Sequence, residues 1–71
     1  MKSAQEVEQA VARYGSALLR LAAHYLSSRT EAEDVVQEAL LKWLQRVKPF
    51  ESGEQEKAWL YRVTANLCKD R

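Results

Sequence analysis

The chain has 71 residues and a formal net charge of +1, and its 46% apolar and 30% charged residues are the composition of one globular domain rather than of a disordered segment. Two Gly and one Pro exclude a turn-rich barrel or sandwich, and the single cysteine, Cys68, excludes an internal disulfide framework and a cysteine-based zinc site. No apolar run approaches the ~20 residues of a membrane span or forms a secretory signal, so a cytoplasmic domain is expected, one that buries only about 60% of its unfolded surface and leans on partners.

Ser3 followed by Glu6 predicts a capping box that opens a first helix. Behind it Val7, Val11, Tyr14, Leu18, Leu21 and Tyr25 recur at steps of four and three, an apolar stripe that Ala10, Ala17 and Ala22 widen. Gly15 interrupts this helix; it is either merely tolerated or marks a close helix crossing. After a break at residues 27–30, Thr30 with Glu33 predicts a second capping box. Glu31, Glu33 and Asp34 crowd the first turn of that helix, where the helix dipole favours anions, and Lys42, Arg46 and Lys48 lie towards its cation-favouring end. Val35, Val36, Ala39, Leu40, Trp43, Leu44 and Val47 form its apolar face, and Pro49 is expected to end it.

Phe50 to Gln55 reads as a polar loop, in which Ser52 and Gln55 give a weaker capping signal. From about Glu56 a last helix carries Trp59, Leu60, Val63 and Leu67 on its apolar side. The expected fold is therefore all-α, a bundle of three helices packed orthogonally or antiparallel, with room for a short extra turn in the 50s loop.

The small net charge hides a partition. Residues 1–29 carry +2, residues 30–56 carry −4 and residues 57–71 carry +3. Solvated faces and dipole complementarity account for such a pattern, as do two contact surfaces, one for a basic partner and one for a polyanion. Catalysis has little support. His24 is the only histidine, Cys68 has no base beside it, no glycine-rich phosphate loop is present, and the carboxylates of the second helix lack the inward Glu-x-x-His partner of a carboxylate metal site. No enzyme, metal or cofactor is expected.

The second helix reads Glu31-Ala32-Glu33-Asp34-Val35-Val36-Gln37-Glu38-Ala39-Leu40, and the last contains Ala58-Trp59-Leu60-Tyr61-Arg62-Val63-Thr64-Ala65-Asn66-Leu67. This pair of strings resembles region 2 of bacterial sigma factors of the sigma-70 family, in the extracytoplasmic-function (ECF) group. The resemblance spans roughly residues 7 to 71, and Tyr14, Leu18, Leu21 and Ala22 fit the family's early helix. It implies a transcription initiation domain that docks on the clamp helices of the RNA polymerase β′ subunit and recognises and melts the promoter −10 element. Asp34, Gln37 and Glu38 match the family's polymerase-contacting positions. Asn66 matches a residue of the pocket that reads a base flipped from the non-template strand, and Arg62, Lys69, Lys57 and Arg71 are the expected phosphate contacts. An anti-sigma protein is a further implied partner. The loop departs from the family pattern, since Glu51, Glu54 and Glu56 face Lys57 as its one cation, a balance that repels phosphates. The family's second domain, a helix-turn-helix, is absent from these residues, so residues 1–71 read as one domain of a longer factor. A sigma-like protein-interaction module without DNA binding is the alternative.

Overall fold

Ser3 caps the first helix as its spacing to Glu6 predicts. In the computed structural model, which describes residues 2–71, α1 spans Ala4–Tyr25. The Ser3 hydroxyl accepts from the Glu6 amide and the Glu6 carboxylate accepts from the Ser3 amide, both at 3.2 Å. The buried row of α1 is Ala10, Tyr14, Leu18 and Ala22, while Val11 and Tyr25, expected inside, are each 48% exposed. The predicted stripe followed the larger side chains; the bundle instead turns a row of i,i+4 neighbours inward in which two members are alanines, so the helices approach closely.

Gly15 does not mark a helix crossing. A Cβ placed there meets nothing nearer than Val11 Cγ1 at 3.8 Å, an ordinary contact. The glycine therefore carries only its helix-propensity cost, and Gly15→Ala is expected to stabilise the domain by about 0.5–1 kcal/mol. Urea unfolding measures this directly; a destabilised variant would restore a close crossing at Gly15.

The second helix, α2, spans Arg29–Gln45, and its cap is Ser28 rather than Thr30. Ser28 stands three residues before Glu31, whose amide donates to the Ser28 hydroxyl at 3.3 Å, so this earlier pattern takes the cap and Thr30 falls within the first turn. Ala32, Val35, Val36, Ala39 and Trp43 are buried. The helix also ends before Pro49 can act. Gln45 is its last residue, and Val47 lies beyond it at 95% exposure instead of on the apolar face. The stop comes from another helix's start: Lys2 Nζ donates to the carbonyls of Trp43 (2.8 Å) and Arg46 (2.9 Å) and lies 4.7 Å from the Trp43 ring centroid. A cation there gives the Trp43 carbonyl, which also accepts from the Arg46 amide at 3.2 Å, a second donor, satisfies the Arg46 carbonyl and complements the helix dipole.

Residues 46–52 are irregular, without the extra turn, and α3 spans Gly53–Lys69. It begins three residues earlier than about Glu56 because the Ser52 signal is the operative one: the Gln55 amide donates to the Ser52 hydroxyl at 3.1 Å. Leu60, Thr64 and Cys68 are buried, and the Thr64 hydroxyl donates to the Leu60 carbonyl at 2.8 Å, so no polar atom is stranded.

The Lys2 contacts set α2 antiparallel to α1, and the Trp43–Glu56 and Glu38–Arg71 contacts set α3 antiparallel to α2. At 1.5 Å per residue the 22 residues of α1 span the 32 Å long axis of the domain. Leu18, Val35, Leu60 and Thr64 are fully buried, so each helix supplies the centre of the core. No helix among the described residues is long and apolar enough to cross a membrane.

Candidate functional site

With Val35, Val36 and Ala39 turned inward, helical spacing leaves Asp34, Gln37 and Glu38 on the outer side of α2. Asp34 and Gln37 are exposed, and neither side chain has a hydrogen-bond partner among the described residues. Glu38 is half-buried and engaged: its Oε1 accepts from Arg71 Nη2 at 3.0 Å. That pair engages Arg71, one of the expected phosphate contacts, and ties the end of α3 to α2. Leu41, 54% exposed, extends the same face by a turn and, with Val7, Leu40 and Leu44, borders a shallow apolar groove of about 320 Å³ rimmed by Gln37. The sequence holds a signal for this: a helix burying Ala39 and Trp43 cannot also bury every leucine of the Leu40-Leu41 pair.

On α3, burial of Leu60, Thr64 and Cys68 leaves Arg62, Asn66 and Lys69 exposed, and at 3.6 residues per turn these three fall within an arc of about 60°. Lys57 does not join them. It stands about 140° round the helix from Arg62, on the side facing α1, with Nζ 5.6 Å from the Tyr61 ring centroid. Nor does Asn66 reach the loop. The open groove beneath residues 46–52 is lined by Lys2, Arg13, Trp43, Arg46, Lys48 and Phe50, whereas Asn66 sits in the last turn of α3, far from that helix's start.

The loop itself is pinned by aromatic stacking. Phe50 meets Trp59 edge-on at 5.6 Å, and the Arg46 guanidinium lies 4.2 Å from the Phe50 centroid and 5.2 Å from that of Trp59. Arg46 Nε also donates to the Lys48 carbonyl at 3.0 Å. Phe50 thus anchors the loop on the bundle.

Glu56 departs most from expectation. Read as part of an acidic, phosphate-repelling loop, it is instead a first-turn residue of α3 whose carboxylate turns inward. Oε1 accepts from the Tyr14 hydroxyl and Oε2 from Trp43 Nε1, each at 2.8 Å, so one side chain joins all three helices. Burial, and then the hydrogen bond to this carboxylate, raise the Tyr14 pKa above its ordinary value. Glu51 and Glu54 remain as the outward carboxylates of the segment, and Lys2, Arg13, Arg46 and Lys48 outnumber Glu6 and Glu56 around the groove.

Cys68 is buried and burial pushes its thiol pKa up, which disfavours the nucleophilic thiolate. His24 is exposed near the end of α1. Among the described residues no three or more His, Cys, Asp or Glu side chains gather as they would to hold a metal ion.

Residues 10–71 match the family model for Sigma-70 region 2. The ECF RNA polymerase sigma factor SigW of Bacillus subtilis (strain 168) is 33% identical over 58 residues, which cover 82% of this chain and 31% of SigW. The chain thus spans about a third of the length of that curated relative. No solved structure gives a significant match.

Proposed function

The chain belongs to the sigma-70 region 2 family, as a region 2 domain of the ECF sigma-factor type, and from that premise we propose that it bridges RNA polymerase and the melted promoter −10 element in the cytoplasm without chemistry of its own. The observation that carries this reading is the separation of two exposed polar faces on two helices. On α2, Asp34 and Gln37 present a carboxylate and an amide with no internal partner, ready for Arg and Lys of the β′ clamp helices. Glu38 joins them by exchanging its contact with Arg71. An ion pair this exposed is worth no more than about 1 kcal/mol, so the exchange costs little. On α3, Arg62 and Lys69 flank Asn66, whose amide offers a donor and an acceptor to the edge of an unpaired base while the cations hold phosphates. Lys57, on the other flank of the helix, holds a different phosphate. An anti-sigma protein covering either face would silence the domain. One ground for the alternative, an interaction module without DNA binding, is the acidic loop, and the inward turn of Glu56 weakens that ground.

Docking is tested by pull-down of polymerase core and of the isolated β′ clamp helices. Asp34→Lys combined with Gln37→Ala is expected to lower affinity about tenfold or more, the effect of losing charge-assisted hydrogen bonds. Both residues are exposed, so the fold should survive, as far-UV circular dichroism would show. Undiminished capture would remove the polymerase assignment.

A further inference from the structure

We propose that the groove between the carboxy-terminal half of α1 and the first turn of α2 is a docking site for an acidic amphipathic helix of a protein partner, with Arg20 and Arg29 as its charged rim. The surface is separate from the α2 and α3 faces assigned above, and neither polymerase docking nor strand binding bears on it.

Leu19 and Leu26, the residue that caps the end of α1, are both half-buried against the core and stand two turns apart, about 10 Å along the axis. Ala23 between them, and Ala32 of α2, are too small to fill the space beside them. The result is a groove of about 460 Å³ with an apolar floor. Two turns is the span of a helix that sets apolar side chains at i, i+3, i+4 and i+7, and the alanines let its backbone approach closely. An inorganic anion would leave the leucines uncovered, whereas a helix covers them.

The rim selects the sign of the partner. Arg20 comes from α1 and Arg29 from the first turn of α2, and no Asp or Glu lines the groove. The grooves lined by Arg13 differ, since each also holds a glutamate, Glu6, Glu54 or Glu56. The groove beside Leu41 holds no charged side chain. Among the described residues the ion pairs are Arg29–Glu33 and Glu38–Arg71, so Arg20 is free to take a partner's carboxylate. Arg29 Nε lies 3.4 Å from Glu33 Oε2, and a pair so exposed is exchanged at little cost. The amino-terminal end of α2 adds its positive dipole on the same side. A nucleic-acid strand is the poorer fit: two cations are few for a repeating phosphate, and a floor of leucine and alanine offers no ring on which a base can stack.

The test is an NMR titration of the isotope-labelled 71-residue chain with a designed peptide, an alanine-based helix of about 16 residues that carries leucines at i, i+3, i+4 and i+7 and glutamates on both flanks of that row. Amide shifts are expected at Leu19, Arg20, Ala23, Leu26 and Arg29, with a Kd of roughly 0.1 mM. Arg20→Ala with Arg29→Ala should weaken binding about tenfold at low salt, as should glutamine in place of the peptide's glutamates. Ala23→Glu, which fills the groove and adds like charge, should abolish it. Arg20, Ala23 and Arg29 are exposed, and the peptide variants leave the chain untouched, so a folding defect cannot imitate the result. No binding at about 1 mM peptide would overturn the assignment, as would shifts confined to the groove beside Leu41. Equal affinity for the glutamine peptide would remove the acidic character of the partner, and equal affinity for poly-glutamate without leucines would reduce the groove to unspecific charge; either result overturns the site. Displacement of the peptide by a single-stranded oligonucleotide at equal charge concentration would assign the surface to nucleic acid instead.

Discussion

Glu56→Ala is expected to destabilise the domain by about 3 kcal/mol or more, since it removes two hydrogen bonds to a charged acceptor and leaves their donors in the interior. Tyr14 and Trp43 are 5% and 3% exposed, so their O–H and N–H depend on the carboxylate for a partner inside the bundle. A domain of this size has a stability towards the low end of the usual ~5–15 kcal/mol, so a single substitution takes a large share of it. Urea unfolding of Glu56→Ala, Tyr14→Phe and the double variant separates the pair: the effects should fall well short of additive, because both remove the same bond. A loss below about 1 kcal/mol in Glu56→Ala would mean that the bridge does not hold the helices. The same contact sets an alkaline limit. The Tyr14 pKa is raised above 10.0 in the fold, so the native state holds this proton more tightly than the unfolded chain does. Its contribution is complete below pH 10 and is lost as pH rises through the raised value, and the raised Cys68 thiol, with an ordinary value of 9.0, acts in the same direction. Tyr14→Phe should flatten the fall of stability above pH 10 relative to the wild type, a comparison in which lysine titration cancels.

Leu18→Ala is expected to cost about 2–5 kcal/mol, the loss of a buried leucine side chain plus the cavity left behind, and to leave much of the domain unfolded at 37 °C. Leu18 and Leu60 are both fully buried in the same core, on α1 and α3, and α2 closes over them with Val35, which leaves little freedom to collapse into the gap. Val11 provides the contrast. The apolar periodicity of α1 places it inside, the fold exposes it, and Val11→Ala should change stability by no more than about 0.5 kcal/mol. Equal losses at Leu18 and Val11, measured by urea unfolding, would mean that the stripe of larger residues faces the core after all.

Local signals carried most of the fold. The Ser3 and Ser52 caps and the apolar periodicities predict three helices in the right places, because each of these is an interaction within a few residues of chain. What escaped prediction depends on residues far apart in sequence. Lys2 ends α2 from across the bundle, before Pro49 is reached; nothing within α2 announces it. Glu56 looks like a surface charge until Tyr14 and Trp43 are brought to it by the packing of α1 and α2. The proposed contact residues divide in the same way. Helical spacing suffices to expose Asp34 and Gln37 and to group Arg62, Asn66 and Lys69. Lys57 belongs to the other flank of α3, on the side that faces α1, which only the packing of the two helices reveals.

Lys2 touches the carbonyls of Trp43 and Arg46 at the point where α2 gives way to the loop, so the start of the chain and the loop are energetically coupled. Coupling of this kind is reciprocal: whatever engages the Lys2 ammonium shifts the conformational balance of residues 46–52, and whatever reshapes that loop changes the hold on Lys2 by the same free energy.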